Sequence, residues 1–400
     1  MKSTRRGFLQ SAGLTGLGAS GLGASALGAD SLAGGAGPAA AATTAASGVV
    51  PFYGAHQAGI ATPTQNYLQF AALDVVGNSV ADLRNLLKTW TEAAARMSRG
   101  EAIGSMQTGT RPPVDTGEAV GHGPNELTVT FGFGPSLFGT AKHDRFGLAR
   151  HRPAPLVDLP KFHGDQIQRS ISGGDLAIQV CANDPQVAFH AVHDLIKQGI
   201  SIAQPRWLLA GFGRTANSFS QALPRNLMGF QDGTANIMGE DAAAMDDFVW
   251  AGKPASPAWM RGGSYLVARR IKISLGLWDG TSLDGQQKAI GRAKLSGAQL
   301  FNMPPAAHIL LSSPQRNNGQ QILRRGYSYV DGVDPVTGDA AAGLLFLCYQ
   351  NDPRRQFIPI QRRIAGRDGL SQFVTHIGSS IFACPPGVKS GGYIGQQLLA

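Results

Sequence analysis

Residues Gly229-Phe230-Gln231-Asp232-Gly233-Thr234-Ala235-Asn236 hold one carboxylate between glycines in a turn, and two residues of complementary chemistry lie downstream, His308 and Arg324. A carboxylate can take a proton from one oxygen of a peroxide and return it to the other, and a guanidinium can stabilise charge developing on the departing oxygen. A neutral imidazole binds iron, and its second nitrogen usually donates to an acid or a carbonyl that fixes the tautomer. Together the three are the minimum equipment for splitting an O–O bond at a haem. Asp-Gly-Thr alone is an ordinary surface turn, because Asp and Gly are turn residues. The expectation therefore rests on the company Asp232 keeps.

The remaining histidines weigh less. His56 sits in a Gly-Ala-His-Gln turn and reads as structural or as an edge contact to the cofactor. His190 and His193 fall on the polar side of a helix, and His122, His143, His151 and His163 in polar loops. No two of them make a convincing metal pair. Electrons for a buried cofactor can pass through aromatic side chains, for which Trp278, Tyr327 and Tyr349 are candidates, each also a plausible core residue.

Elements that would position these groups emerge from periodicity. In the first half, Tyr67 to Val76 reads as a strand. Val80, Leu83, Leu86, Leu87, Trp90, Ala94 and Met97 recur at helical spacing. Leu127 to Phe133 alternates as a half-buried strand should, and Asp175 to Ala182 offers another. Asp184-Pro185 starts a helix with a capping acid and a first-turn proline, and Arg206 to Phe212 closes the unit. The second half repeats the order with a strand beginning at Ser264, a helix over 283–292, and a short strand-like run from His308 to Leu311. The strand Gly343 to Tyr349, a capped helix from Asp368 to Ile377 ending at Gly378, and a last strand at 380–383 complete it. The fold class is α+β: two ferredoxin-like β-α-β-β-α-β domains, over 49–218 and 219–400, with antiparallel sheets and flanking helices.

Residues 1–46 stand apart as a twin-arginine signal peptide and low-complexity spacer. Arg5-Arg6 precede Phe8-Leu9, and Gly, Ala, Ser, Leu and Thr dominate residues 11–46. Export to the periplasm or the extracellular space is expected, and about 355 residues then remain, enough for two domains. Cys181, Cys348 and Cys384 lie in apolar runs and offer no disulfide framework. The formal charge is +9, of which Lys2, Arg5 and Arg6 against Asp30 supply +2, leaving +7 without a basic block. Such a surface could attract anionic reductants, but it carries no clustered stripe for nucleic acid.

Five separated motifs carry a resemblance from about Val49 to the C-terminus: the run Pro51 to Pro63, Gly229 to Thr234, Trp278-Asp279, Gly291-Arg292, and Leu323 to Tyr329. In type and order they resemble the dye-decolourising (DyP-type) haem peroxidases, specifically the exported branch that includes the deferrochelatases. The resemblance implies one haem b per chain, held in the C-terminal half of a homodimeric protein. His308 would be the axial iron ligand, and Asp232 and Arg324 the distal catalytic pair. Gly233, Thr234, Ala235 and Arg292 would contact the haem, as would Ser313, Pro314 and Gln315. Hydrogen peroxide and small aromatic reductants are the implied substrates, with iron-uptake or copper-oxidase proteins as possible partners.

One departure from the family matters. Where relatives tend to read Ile-Arg-Leu-Ala-Asn-Pro-Arg after the axial histidine, this chain has Ile309-Leu310-Leu311-Ser312-Ser313-Pro314-Gln315, so two cations are missing, and the 298–308 segment is shorter. Two functions from different classes are implied: a peroxidase of bulky phenols, dyes or porphyrins, and a deferrochelatase-type haem-handling protein that releases iron.

Overall fold

A computed structural model describes residues 48–106, 109–140, 142–252 and 256–399, so the signal expected over 1–46 lies outside the described residues. In the first half, β1 (Tyr67–Val75) leads into α1 (Val80–Met97), whose first turn is closed by Ser79 accepting the amide of Asp82. Capping of this kind contributes about 1 kcal/mol. After β2 (Thr128–Phe133) come the short α2 (Pro135–Phe138) and β3 (Leu176–Ala182). Helix α3 (Pro185–Gly199) is capped by Asp184, which accepts the amides of Gln186 and Val187, and β4 (Ala203–Arg214) completes the half.

The second half contains α4 (Ala242–Phe248), β5 (Ser264–Ile273), α5 (Leu275–Asp279), α6 (Leu283–Ile290) and α7 (His308–Leu311). Then come β6 (Leu323–Arg324), β7 (Tyr327–Val333), β8 (Ala340–Gln350), α8 (Phe357–Ile364) and β9 (Val374–Cys384).

The nine strands of the described residues join one antiparallel sheet in the order β5-β9-β2-β3-β1-β4-β7-β8-β6, and β5 also pairs with β8, which closes eight strands into a barrel-like ring. Within the ring the first half contributes β2-β3-β1-β4 and the second β9-β5-β8-β7. The seams between the halves are thin: Phe133 opposite Ala383, and Phe212 and Arg214 opposite Ser328 and Tyr327. β6 and β7 continue one another along the same edge of β8, so Arg324 pairs with Cys348 while Tyr327 pairs with Leu345. Closure leaves few unpaired strand edges, the usual liability of an open sheet.

Side-chain alternation divides the core. On β1, Ala71, Leu73 and Val75 pack with Leu83, Leu87 and Trp90 of α1, while Leu68, Phe70 and Ala72 pack with Trp207, Tyr327, Tyr349 and Phe382 from strands of both halves. Trp90 stacks on Phe131 at 5.8 Å and donates its indole N–H to the carbonyl of Leu195, tying α1, β2 and α3 together.

Two expected elements are corrected. His308–Leu311 is a helical turn and not a strand, because a four-residue apolar run carries no usable period and Ser312 returns its hydroxyl to the carbonyl of His308. The helix expected over Asp368–Ile377 is instead a 3-10 turn, Gly369–Gln372, leading into β9; the ladder from Val374 opposite Ile273 to Cys384 opposite Ser264 overrides the local pattern. Asp368 does act as the cap, accepting the amide of Leu370. The helix lies earlier, as α8, where Pro359 sits in the first turn and loses no helical hydrogen bond.

Candidate functional site

Asp232 reaches the site on a turn fixed from both sides. Its backbone amide donates to the carbonyl of Pro224, and the carbonyl of Asp232 lies against the amide of Ala216. Gly233 has φ +109°, and a Cβ there would meet the N, O and Cβ of Ala216 at 2.8 Å, so glycine is required on both conformational and steric grounds. Ala235 also has positive φ, +55°, an uncommon state for a residue with a side chain and a mark of a loop held by its surroundings.

Asn236 joins that turn to β6. Its side-chain oxygen accepts the amide of Arg324 at 2.8 Å, and its side-chain nitrogen donates to the carbonyls of Arg324 and Ala216, both at 2.9 Å. The backbones of the two segments are therefore fixed together before their side chains meet. Arg324 Nη1 then donates to Asp232 Oδ1 at 3.1 Å, and Nη2 to the carbonyl of Thr234 at 3.0 Å. No described residue bonds Asp232 Oδ2.

His308 begins α7, and its Nδ1 lies 2.5 Å from Asp368 Oδ2. Burial disfavours the charged imidazole, but the Asp368 carboxylate, by charge and by hydrogen bond, overrides this and holds the pKa above its ordinary value. No described residue bonds Nε2. The sequence marks Asp368 only as a helix cap, and nothing local points to it as the partner of a histidine sixty residues earlier.

These groups share one cavity of about 860 Å³, lined by His308, Asp232, Arg324, Thr234, Ala235, Arg292, Ser313, Pro314 and Gln315. Gly233 is not itself at the cavity wall, and supports it from behind. Arg292 donates Nη1 to the carbonyl of Gly297, while its Nε is buried without a partner. Its burial, and then the neighbouring charge of Arg324, lower its pKa. Such a cation has room for an anionic ligand. Gln315 is exposed at the rim.

Two further histidines line the cavity, His163 and His376. Burial, then the positive charge of Arg269, push His376 down to about 3, so it is neutral at ordinary pH. It lacks the carboxylate partner that distinguishes His308. His56 lies elsewhere, stacked on Trp250 at 3.7 Å with Nδ1 2.7 Å from the carbonyl of Gly262, a structural arrangement. His193 is half-buried, on the polar side as expected, but His190, expected there too, is buried. Trp278, Tyr327 and Tyr349 are core residues; the indole of Trp278 donates to the carbonyl of Met228. All three cysteines are free and buried.

The donor set fits a haem. Ile271, Ile273, Leu344, Phe346 and Ile360 give the cavity apolar walls suited to a flat porphyrin, one imidazole has a free Nε2 and a carboxylate behind it, and Arg292 carries an unpartnered N–H for an anionic edge.

Comparison with known proteins agrees with this chemistry. Residues 57–213 match the model of the Dyp-type peroxidase N-terminal domain, and residues 223–389 that of the C-terminal domain. The chain is 37% identical over 373 residues to a deferrochelatase of Escherichia coli O6:K15:H31, with 87% of each chain covered. Among solved structures it is similar to DtpA from Streptomyces lividans in an oxyferrous complex (38% identity, TM-score 0.80, 88% of this chain and 98% of that one). It is also similar to a DyP-type peroxidase from Cellulomonas bogoriensis (34% identity, TM-score 0.76, 88% and 98%). With both domain models matched in order along the chain, and the acid, guanidinium and imidazole gathered in one apolar cavity, this protein belongs to the Dyp-type peroxidase family.

Proposed function

We propose that the protein is a haem b-dependent peroxidase, binding one haem per chain, that reduces hydrogen peroxide and oxidises bulky phenolic, dye-like or porphyrin substrates. The observation that carries the reading is the single cavity holding His308 with its Asp368 carboxylate and the Asp232–Arg324 pair.

Bound haem would supply an iron centre at which peroxide is reduced by two electrons and to which the reducing substrate returns electrons one at a time. His308 Nε2 would hold that iron, and Asp368 would keep Nδ1 protonated and the ring oriented, which raises the basicity of the ligand nitrogen. Asp232 would accept the proton from the near oxygen of peroxide at its free Oδ2 and return it to the far oxygen. Arg324, fixed by Thr234 and Asn236, would offer its charge to the oxygen that leaves. Arg292 would bind an anionic haem edge, and Gly233, Thr234, Ala235, Ser313, Pro314 and Gln315 would shape the pocket.

The strand orders β2-β3-β1-β4 and β9-β5-β8-β7 support reading the halves, 49–218 and 219–400, as a duplicated ferredoxin-like pair. The paired arginines at 5–6 support export by the twin-arginine route to the periplasm or beyond. A homodimer, aromatic reductants and iron-uptake or copper-oxidase partners rest on family resemblance.

A second reading has its own observation: curated relatives at 37% identity carry the name deferrochelatase. Haem-loaded protein should be assayed for peroxide-dependent dye oxidation beside iron release from added haem. Dye turnover without iron release supports the peroxidase. Iron release without peroxide-dependent turnover supports the alternative.

A further inference from the structure

We propose that Asp115, His190 and Asp194 form a binding site for one divalent transition-metal ion, zinc by its donor set, that fastens the segment between α1 and β2 onto α3. None of the three lines the haem cavity.

The segment needs such a fastening. Between Met97 and Thr128 the described residues form no helix or strand, and loops of this length in compact domains are uncommon unless something specific orders them. Contacts at its edges are modest: Lys197 donates to the carbonyls of Pro113 and Val114, and Gln186 to that of Glu118. At its centre three ligand atoms converge within 4.8 Å of one another, on residues that are all buried.

The spacing is wrong for hydrogen bonds and right for a shared cation. His190 Nε2 lies 3.7 Å from Asp115 Oδ2 and 3.6 Å from Asp194 Oδ2, outside good hydrogen-bond range. Ligands about 2.0–2.2 Å from a tetrahedral zinc ion are separated by about 3.3–3.6 Å. Asp194 is fully buried, and its Oδ1 has no hydrogen-bond partner at all, a costly state for a carboxylate oxygen unless a cation is beside it.

The surrounding bonds prepare the ligands. His190 Nδ1 lies 2.9 Å from Glu118 Oε2, so an Nδ1–H donated to Glu118 turns the Nε2 lone pair toward the two aspartates. A carboxylate behind a ligating histidine is the usual support for a bound metal. Asp115 is held by the amides of Ile103 and Gly117, at 2.9 and 2.8 Å. No described lysine or arginine pairs with Asp115, Glu118 or Asp194; their ionic partners are His190 and His193 alone. Three protein ligands of one nitrogen and two oxygens leave a fourth position for water. They are too few for calcium, which takes six to eight oxygens.

The test uses the haem-loaded full chain, stripped with a chelator, exposed to micromolar zinc chloride and desalted. About one zinc per chain is expected beside the iron. Zinc-edge X-ray absorption should show a nitrogen and oxygen shell at about 2.0–2.2 Å with one imidazole, and zinc should raise the thermal midpoint. Asp194→Asn and Asp115→Asn should each weaken zinc binding at least about tenfold and abolish the thermal shift, while the haem spectrum and peroxide turnover stay as in the wild type. Absence of retained zinc in the wild type overturns the proposal, as does equal retention by both variants, which would place the zinc on surface histidines. A variant that melts above the wild type with or without zinc overturns it too, because the cluster would then be held by protons. Should a variant fail to fold, the stoichiometry and absorption spectrum of the wild type decide alone.

Discussion

Asp368 serves two segments with one carboxylate: Oδ1 accepts the amide of Leu370 at 2.7 Å and Oδ2 lies 2.5 Å from His308 Nδ1. The turn that leads into β9 is thus tied to the imidazole of α7. Because Asp368 overrides the burial that would otherwise depress it, the pKa of His308 stands above the ordinary value of about 6.5. In haem-free protein the stabilisation from protonated His308 is present below the unfolded value and lost as pH rises through the raised one. Iron requires the neutral ring, so haem affinity should fall about tenfold per pH unit below that raised pKa and level off above it. Asp368→Asn removes the opposing influence, and the break should move to lower pH, with affinity on the plateau about 10- to 100-fold weaker. Haem titrations across the neutral range read both; an unmoved break would mean that Asp368 does not set the protonation of His308.

Three imidazoles, His163, His308 and His376, line the cavity, and only His308 has a carboxylate behind it. His308→Ala should therefore abolish the Soret band of bound haem or shift it to that of loosely held haem, while His376→Ala should retain it. The reverse pattern would transfer iron ligation to His376.

Much of this was legible in the sequence, and the misses have physical causes. Helix α1 carries a period of 3.6, the run Leu127 to Phe133 alternates, and the cap Asp184 is visible in the chain. The turn 229–236, His308 and Arg324 stand out through their chemistry and motif order. The run His308–Leu311 is too short to show a period, and β9 forms because β5 lies beside it, information that no local window contains. Strand β7 is hidden inside a motif that stands out for its residues, and α8 behind Pro359. Asp368, His376 and the burial of His190 are tertiary facts. Each depends on segments brought together from more than fifty residues away.

Asn236 holds the 229–236 turn to β6 through two hydrogen bonds with the backbone of Arg324, and to the carbonyl of Ala216 through a third. Asn236→Ala leaves buried backbone groups unpaired, at about 1–3 kcal/mol for each group left unsatisfied. The variant should melt several degrees lower and lose peroxide reactivity more than haem affinity, since Arg324 is released and His308 is not. Thermal scans and haem titration together check this; an unchanged melting temperature would contradict it.

Gln315 lies exposed at the rim of the cavity, at a position where the family resemblance set the expectation of an arginine. Gln315→Arg should slow haem transfer to apomyoglobin, but only about fivefold or less, because a solvated ion pair contributes roughly 0–1 kcal/mol. A change of a hundredfold would require a buried contact that the rim does not offer. No change at all would mean that Arg292 suffices.

The central claim is that peroxide is reduced at a haem faced by the Asp232–Arg324 pair. Its most direct measurement is the stopped-flow rate at which hydrogen peroxide changes the Soret spectrum of haem-loaded wild type, Asp232→Asn, Arg324→Leu and the double variant. The account predicts normal haem content in all four, a loss on the order of 10²-fold or more in at least one single variant, and little further loss in the double variant because the two groups act as one unit. Wild-type rates in both single variants and in the double variant would contradict it and place the chemistry elsewhere.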